Sequence, residues 1–218
     1  MYTSQSIQRP VGINVFGSCL LATEPDYASI RCSVAGVAAT PAPAFEGARA
    51  RLQAVRDALR DGGVASRDVQ VSRLNLEIAY EGPYNEREMV GYRGQADLIA
   101  LARDLDALEG LLQRIVEAGA LISDVSFKTS ELVALRRRAR DGAVAAARRK
   151  AEAYAAAAGA QLGGILHLED LNPEELSRRS HAPDIDLAAE GDEASAAAAG
   201  SIRVAGAVMA CYAILRGP

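Results

Sequence analysis

Apolar and polar residues alternate near the start of the chain in a way that predicts β-strands. Residues 13–17 begin one strand, and residues 28–34 carry an apolar side chain at every second position. Glu24-Pro25-Asp26 lies between them and is typical of a turn. Because a period of two is expected for strands with one buried face, this region predicts a half-buried antiparallel pair formed by these two strands.

The next segments change to a helical period. Apolar residues recur at three- and four-residue spacing from Phe45 to Leu59 and again from Leu105 to Ile115, and glycine follows each stretch. Strands are predicted after both helices, at residues 69–78 and 121–127, and a longer one at residues 90–98. The order strand, helix, glycine, strand therefore occurs twice, ending in VASRDVQVS and then in LISDVSFKT. This repetition predicts two strand-helix-strand units that build one sheet with helices on one face.

A long helix is predicted from about Glu131 to Ala158, and its glycine-rich end leads to a strand at residues 165–168. A final long strand is predicted at residues 202–215. The helix carries mostly small residues on its predicted inward face, which would permit close packing against the sheet or a second subunit: Leu132, Leu135, Ala139, Ala143, Ala146, Ala153 and Ala157.

These elements predict an α+β fold in which a mostly antiparallel sheet is backed by helices, including the long alanine-rich one. We expect an N-terminal tail at residues 1–11 and one domain at residues 12–216. Within that domain, residues 172–200 are acidic and lack aromatic side chains, which predicts a mobile loop insertion available to a protein partner or cargo.

Composition narrows the function classes. The chain has 218 residues, half of them hydrophobic, and a formal net charge of −4, which argues against a dedicated nucleic-acid binder. No segment has the length and apolarity of a membrane span, and the first residues do not have the pattern of an export signal. We therefore expect a cytoplasmic protein, the alternative being an exported one whose signal has been removed.

Residues able to perform chemistry are sparse. His167 and His181 are the only histidines, and neither has a partner at metal-ligand spacing, so we expect no metal, no cofactor and no catalytic residue. Three cysteines without CxxC spacing indicate a reducing compartment. Cys19 and Cys32 could face each other on adjacent strands and form a redox switch, although buried packing is the simpler interpretation.

Two surfaces are candidates for binding. Arg137 and Arg148 are eleven residues apart, three helical turns, and belong to a basic face that is interpreted as solvated, as an oligomer contact or as a weak candidate for nucleic acid. Tyr80, Tyr84 and Tyr92 surround a predicted hairpin loop at residues 80–88, where exposed tyrosines would suit a protein interface and ordinary packing at the sheet edge is the alternative interpretation.

The order of elements and several local motifs resemble the SIMPL domain, a bacterial family largely of unknown function that includes periplasmic proteins linked to oxidative-stress defence. The resemblance runs from about Gly12 to Leu215. The motifs that carry it are Val15-Phe16-Gly17, Glu24-Pro25-Asp26, Asp68-Val69-Gln70-Val71-Ser72, Gly91-Tyr92-Arg93-Gly94-Gln95-Ala96, Phe127 and the helix end from Ala145 to Gly164. The resemblance implies an α+β fold and a tendency to self-assemble, and it implies no known active site.

Three hypotheses follow. The first is a non-enzymatic, homo-oligomeric assembly or scaffold, related to stress as in the family, whose subunit contacts come from the sheet and the alanine-faced helix. The second is a small-molecule binder or enzyme with a pocket between sheet and helices, using Tyr92, Arg93 or Gln95 for polar contacts. The third is a redox responder that uses Cys19 and Cys32.

Overall fold

A computed structural model describes residues 11–83, 85–172 and 200–215. The described residues form three helices and seven strands, and the strands build two antiparallel sheets. This confirms the predicted α+β class. The predicted loop insertion at residues 172–200 lies almost wholly outside the described residues. Tyr84 also lies outside them. In chain order the elements are β1 Ile13–Thr23, β2 Tyr27–Ala38, α1 Pro41–Asp61, β3 Val69–Glu81, β4 Glu88–Ala102, α2 Leu108–Glu117, β5 Leu121–Lys128, α3 Leu132–Ala157, β6 Gln161–Leu171 and β7 Ile202–Leu215.

The chain divides into two compact units instead of building one sheet. Among the described residues, those from 25 to 130 form the central unit, and those before 25 and after 130 form the terminal unit. The central unit has the order β-α-β-β-α-β and the strand order β3-β4-β2-β5, the arrangement called a split βαβ or ferredoxin-like motif. The two predicted strand-helix-strand repeats are therefore the two halves of this unit.

The predicted pairing of the first two strands is wrong. β1 pairs with β7 along its whole length, from Ile13 opposite Tyr212 to Thr23 opposite Ile202, in a three-stranded sheet of order β1-β7-β6. β2 pairs instead with β4 and β5. Residues 24–26, predicted to be a hairpin turn, carry the chain from one sheet to the other.

The core of the central unit lies between its sheet and α1 and α2. Its largest side chains are aliphatic and fully buried, and alanines fill the space between them: Ile30, Leu98, Val55, Leu59 and Ile115 are the large ones. α1 approaches the sheet most closely where Gly36 of β2 lies opposite Gly94 of β4. A β-carbon on Gly94 would stand 2.7 Å from the carbonyl oxygen of Ala44, so these glycines leave the space that the helix backbone occupies.

The terminal unit uses the same device with a helix made largely of alanine. Its buried face is Leu135, Ala139, Ala143, Ala147, Ala151 and Ala155, packed on β1 and β7. A β-carbon on Gly17 would stand 2.6 Å from the Ala147 β-carbon, and one on Gly206 would stand 2.8 Å from the backbone nitrogen of Arg140. Helix and sheet are thus in direct backbone contact.

The predicted inward face of α3 is right for its first half and wrong for its second. Ala153 and Ala157 are exposed and Ala146 is only partly buried, because the buried residues follow a strict spacing of four. At 3.6 residues per turn, each step of four rotates the contact line by about 40°. The contact line therefore winds around the helix, as packing on a twisted sheet requires.

Both connections to the terminal unit leave the central unit at one point, where Asp26 and Ser130 meet. The Ser130 backbone N–H donates to the Asp26 carboxylate at 2.8 Å, and its hydroxyl donates to the same group. The Asp26 backbone N–H in turn donates to the Lys128 carbonyl at 3.0 Å. The two ends of the central unit are thus tied together by hydrogen bonds.

The Asp26 contact predicts a pH dependence of stability. The hydrogen bond from the Ser130 hydroxyl holds the pKa of Asp26 below its ordinary value, so this contribution is present at neutral pH and is lost as the pH falls through that lowered pKa. We expect Asp26→Asn to be less stable than the parent at pH 7 and to converge with it at acidic pH, as measured by urea unfolding. Glu24→Gln, which removes a neighbouring charge, is the control. An Asp26→Asn difference that stays constant with pH would contradict the assignment.

Candidate functional site

The most distinctive surface of the described chain is the outer edge of the central sheet. β3 hydrogen-bonds to β4 on one side, and no strand of the described chain lies on its other side. Leu74, Leu76 and Ile78 lie opposite Ala96, Gly94 and Tyr92 of β4, which places all three on the face that carries α1. We call these three residues and the β3 edge that bears them the β3 edge surface.

The apolar side chains of the β3 edge surface are not covered. Leu74 is 56% exposed, Leu76 42% and Ile78 46%, because α1 packs chiefly over β2 and β4. Tyr80 continues the row and is also half exposed, and Met89 and Val90 are exposed on the neighbouring strand. An exposed apolar row on a long edge strand is the feature that natural sheets usually avoid, since it invites pairing with another chain.

The opposite face of the same strands is charged in matched pairs. Arg73 lies opposite Asp97, and Glu77 lies opposite Arg93. Asn75, between them, lies opposite Gln95 and donates to the Glu77 carboxylate at 3.5 Å. Opposite charges directly across a strand pair stabilise the pairing, so this face fixes the register of β3 on β4.

The predicted ligand residues are separated by the sheet. Tyr92 is on the α1 face, whereas Arg93 and Gln95 point to the other face, where Gln95 donates to the Asp97 carboxylate at 2.9 Å. The described part of the central unit has two concave regions, of about 300 and 260 Å³, and none of these three residues lines either of them. The structure thus does not bring these residues together into one pocket, and ligand binding stays a prediction.

The predicted redox pair is also separated. Cys19 is in β1 and Cys32 is in β2, and these strands belong to different sheets, so the two thiols do not lie on neighbouring strands. Burial raises the pKa of the Cys32 thiol, and the nearby Asp97 carboxylate raises it further, which reduces the fraction of reactive thiolate. Cys19 packs under α3, where a β-carbon on Gly142 would stand 2.5 Å from its sulfur.

The basic face of α3 is solvent-exposed. Arg137 and Arg148 are both exposed, and Arg148 donates from Nε to the Glu152 carboxylate at 2.9 Å, an i to i+4 pair on the helix surface. That hydrogen bond raises the pKa of the Arg148 guanidinium. Arg140 Nε lies 3.5 Å from the Asp170 carboxylate on β6. Such exposed pairs are consistent with a solvated face.

In the described ranges, no three His, Cys, Asp or Glu residues are grouped so that they could hold a metal ion. The helices described here include none with the length and apolarity required to cross a bilayer. His167 Nε2 lies 3.9 Å from the Glu169 carboxylate, and His181 falls outside the described residues.

Tyr80 and Tyr92, which lie near this surface, were candidates for binding from the sequence, whereas the apolar residues at its centre were not. Leu74, Leu76 and Ile78 have the period of two that correctly predicts a strand, but nothing in the sequence marked them as binding residues. Periodicity does not reveal whether a helix covers a given strand, so their exposure could not be foreseen. A usable signal was present in Arg73 and Glu77, which lie at equal distances on either side of Asn75 and have opposite charge.

Comparison with known proteins adds relatives in two kingdoms. The chain is 28% identical to the 26 kDa periplasmic immunogenic protein of Brucella melitensis, over 78% of this chain and 70% of the relative. It is 27% identical to the protein of the same name from Brucella abortus, over the same shares. It is also 29% identical to the Interleukin-1 receptor-associated kinase 1-binding protein 1 homolog of Xenopus laevis, over 72% of this chain and 62% of that protein.

These relatives correct one expectation. The cytoplasmic location predicted from the sequence is contradicted, because both Brucella relatives are named as periplasmic proteins. The SIMPL family, described as a protein of unknown function (DUF541), matches residues 13–210, which runs from the start of β1 nearly to the end of β7. With the motifs and the fold described above, this match means that the chain belongs to the SIMPL family.

Proposed function

We propose that this SIMPL protein works in the periplasm as a homo-oligomeric assembly and does not act as an enzyme. The observation that carries the proposal is the β3 edge surface, an exposed apolar row on a strand that no other described strand pairs on its outer side. The periplasmic setting is supported by the names of the Brucella relatives. A relation to stress defence, implied by the family resemblance, remains part of the proposal.

A second edge supports an assembly larger than a dimer. β6 is an edge strand of the terminal sheet, and Ile165, Leu166 and Leu168 on it are each about half exposed. A subunit with two separate contact surfaces can join two neighbours and so build a ring or a stack of rings, whereas one two-fold surface stops at a dimer. The alanine face of α3 is not available for subunit contacts, because its own sheet buries it.

A periplasmic setting also gives a role to the burial of the thiols. The periplasm is oxidising, and three cysteines cannot all be paired within one chain. Cys32 and Cys211 are buried and Cys19 is partly covered, so burial would shield the thiols from oxidation. This arrangement supports a structural role for the cysteines over the redox response considered from the sequence.

The proposal predicts the mass of the purified protein in solution. Size-exclusion chromatography with multi-angle light scattering at micromolar concentration should give a multiple of the 22.9 kDa chain mass. The apolar edges gain free energy when they leave water, so the mass should fall on dilution. A single species at the mass of one chain over the whole concentration range would contradict the assembly. If the mass shows an assembly, electron microscopy should be used to count its subunits and establish the geometry of the assembly.

A further inference from the structure

Along the outer side of β3, where none of the described strands pairs, the regular part of the strand is short. Register shifts between Val71 and Arg73 and between Ala79 and Tyr80 bracket the segment from Arg73 to Ala79. Within it every residue lies directly opposite one residue of β4, so its outer edge has the even spacing of a normal strand. In a pairing centred on residue 75, residues 73–77 of both copies fall within this segment, and strands of five or six residues are common.

This segment is self-complementary about its third residue, Asn75. In an antiparallel pair of two identical strands with Asn75 opposite its own copy, position 73 falls opposite 77 and position 74 opposite 76. Arg73 then meets Glu77 of the partner subunit, and Leu74 meets Leu76 of the partner subunit, each contact occurring twice. Opposite charges therefore meet on one face and leucines meet on the other.

We infer that a second copy of this chain pairs along β3, antiparallel and two-fold symmetric at Asn75, so that two central sheets join into one eight-stranded sheet. This inference rests on the proposed homo-oligomer and specifies one of its contacts. The leucine contacts remove exposed apolar surface from water, and the backbone contacts supply hydrogen-bond partners on the side of β3 that no described strand occupies.

The charges on β4 extend the same complementarity beyond the two edge strands. The row that contains Arg73 would consist of Asp97, Arg73, Glu77 of the partner subunit and Arg93 of the partner subunit. Its signs alternate across four strands, and the two-fold axis generates the equivalent row on the other side. An unrelated extended peptide would supply the backbone hydrogen bonds but has no reason to match this symmetric pattern, so the pattern favours a second copy.

Two charge reversals test the register. Arg73→Glu, the acidic variant, places two carboxylates opposite two carboxylates of its copy, and Glu77→Arg, the basic variant, does the same with guanidinium groups. We expect each variant alone to dissociate at this contact, with a dissociation constant raised on the order of tenfold or more. An equimolar mixture should regain the parent mass, because each acidic strand then lies opposite a basic one. Light scattering measures all three samples.

The controls separate failure of this inference from failure of the assembly itself. Arg31→Glu reverses an exposed charge on the central strand β2 and should leave the mass unchanged. If the parent assembles and both reversals keep its mass, or if both dissociate but their mixture does not recover, the pairing at β3 is overturned and the homo-oligomer stands. If the parent itself has the mass of one chain, the proposed function and the pairing both fail.

Two cysteine variants test the same register without a charge reversal, in case a reversal impairs folding. Asn75→Cys places a thiol on the two-fold axis, where a short bis-maleimide should link two copies because directly opposite β-carbons are about 5 Å apart. Gln70→Cys is the matched control, because the two copies of position 70 would be about 33 Å apart in this register. Equal cross-linking of both variants, or none above the parent for Asn75→Cys, would overturn the register.

Discussion

Gly206→Val should lower the free energy of unfolding by about 3 kcal/mol or more, the largest effect that we expect from a single substitution. A β-carbon at this position would stand 2.8 Å from the backbone nitrogen of Arg140 and 2.5 Å from the carbonyl carbon of Ala139. Both atoms belong to the backbone of α3, which cannot move aside without losing its alanine contacts on β1 and β7. Chemical unfolding followed by circular dichroism measures the loss.

Gly164→Val is the matched control for that substitution. Gly164 lies on β6 of the same sheet, and a β-carbon there would have no atom within 4 Å. Because valine favours a strand and restricts the unfolded chain, this variant should be neutral or slightly more stable. Equal losses at both glycines would mean that the damage comes from replacing glycine in a strand, and would contradict the role given to the contact with α3.

Leu98→Ala should destabilise the central unit by about 3 kcal/mol. Leu98 is fully buried on β4 between the sheet and its helices, so its removal leaves a cavity as well as a loss of buried apolar surface. Leu121→Ala is the control, because Leu121 belongs to the same sheet but is 71% exposed on β5, and its truncation should cost less than about 1 kcal/mol. A similar loss in both variants, measured by urea unfolding, would contradict the position given to the core.

The elements of this fold could be predicted from the sequence, but their partners could not. α3 and β7 were placed within one residue at each end, because long periodic segments bounded by glycine leave little choice. The pairing of β1 with β7 joins residues about two hundred positions apart, and alternation along a strand carries no information on which strand lies beside it. A turn-like sequence at Glu24-Pro25-Asp26 made the local pairing look simpler than the true one.

The strand that carries the candidate site could be predicted from the sequence, but the exposure of its apolar side chains could not. The strand that carries Leu74, Leu76 and Ile78 was correctly predicted, and so was a hairpin after it. Whether those leucines meet a helix depends on how α1 crosses the sheet, and that crossing is set by Gly36 and Gly94. Each glycine is visible in the sequence, but their position opposite each other appears only once the register of β2 on β4 is known.

Glycine and alanine form much of the layer between α3 and its sheet, and this composition restricts how α3 can pack in the terminal unit. Neither residue has a side-chain torsion, so ordering this layer costs no side-chain rotational entropy, unlike a core of leucine or methionine. Where glycine meets alanine, the layer has no alternative rotamers that could absorb a change in volume. At those points the position of α3 on β1 and β7 is defined by the shapes of the two backbones, while side chains such as Val15, Val208 and Tyr212 fill the rest of the layer.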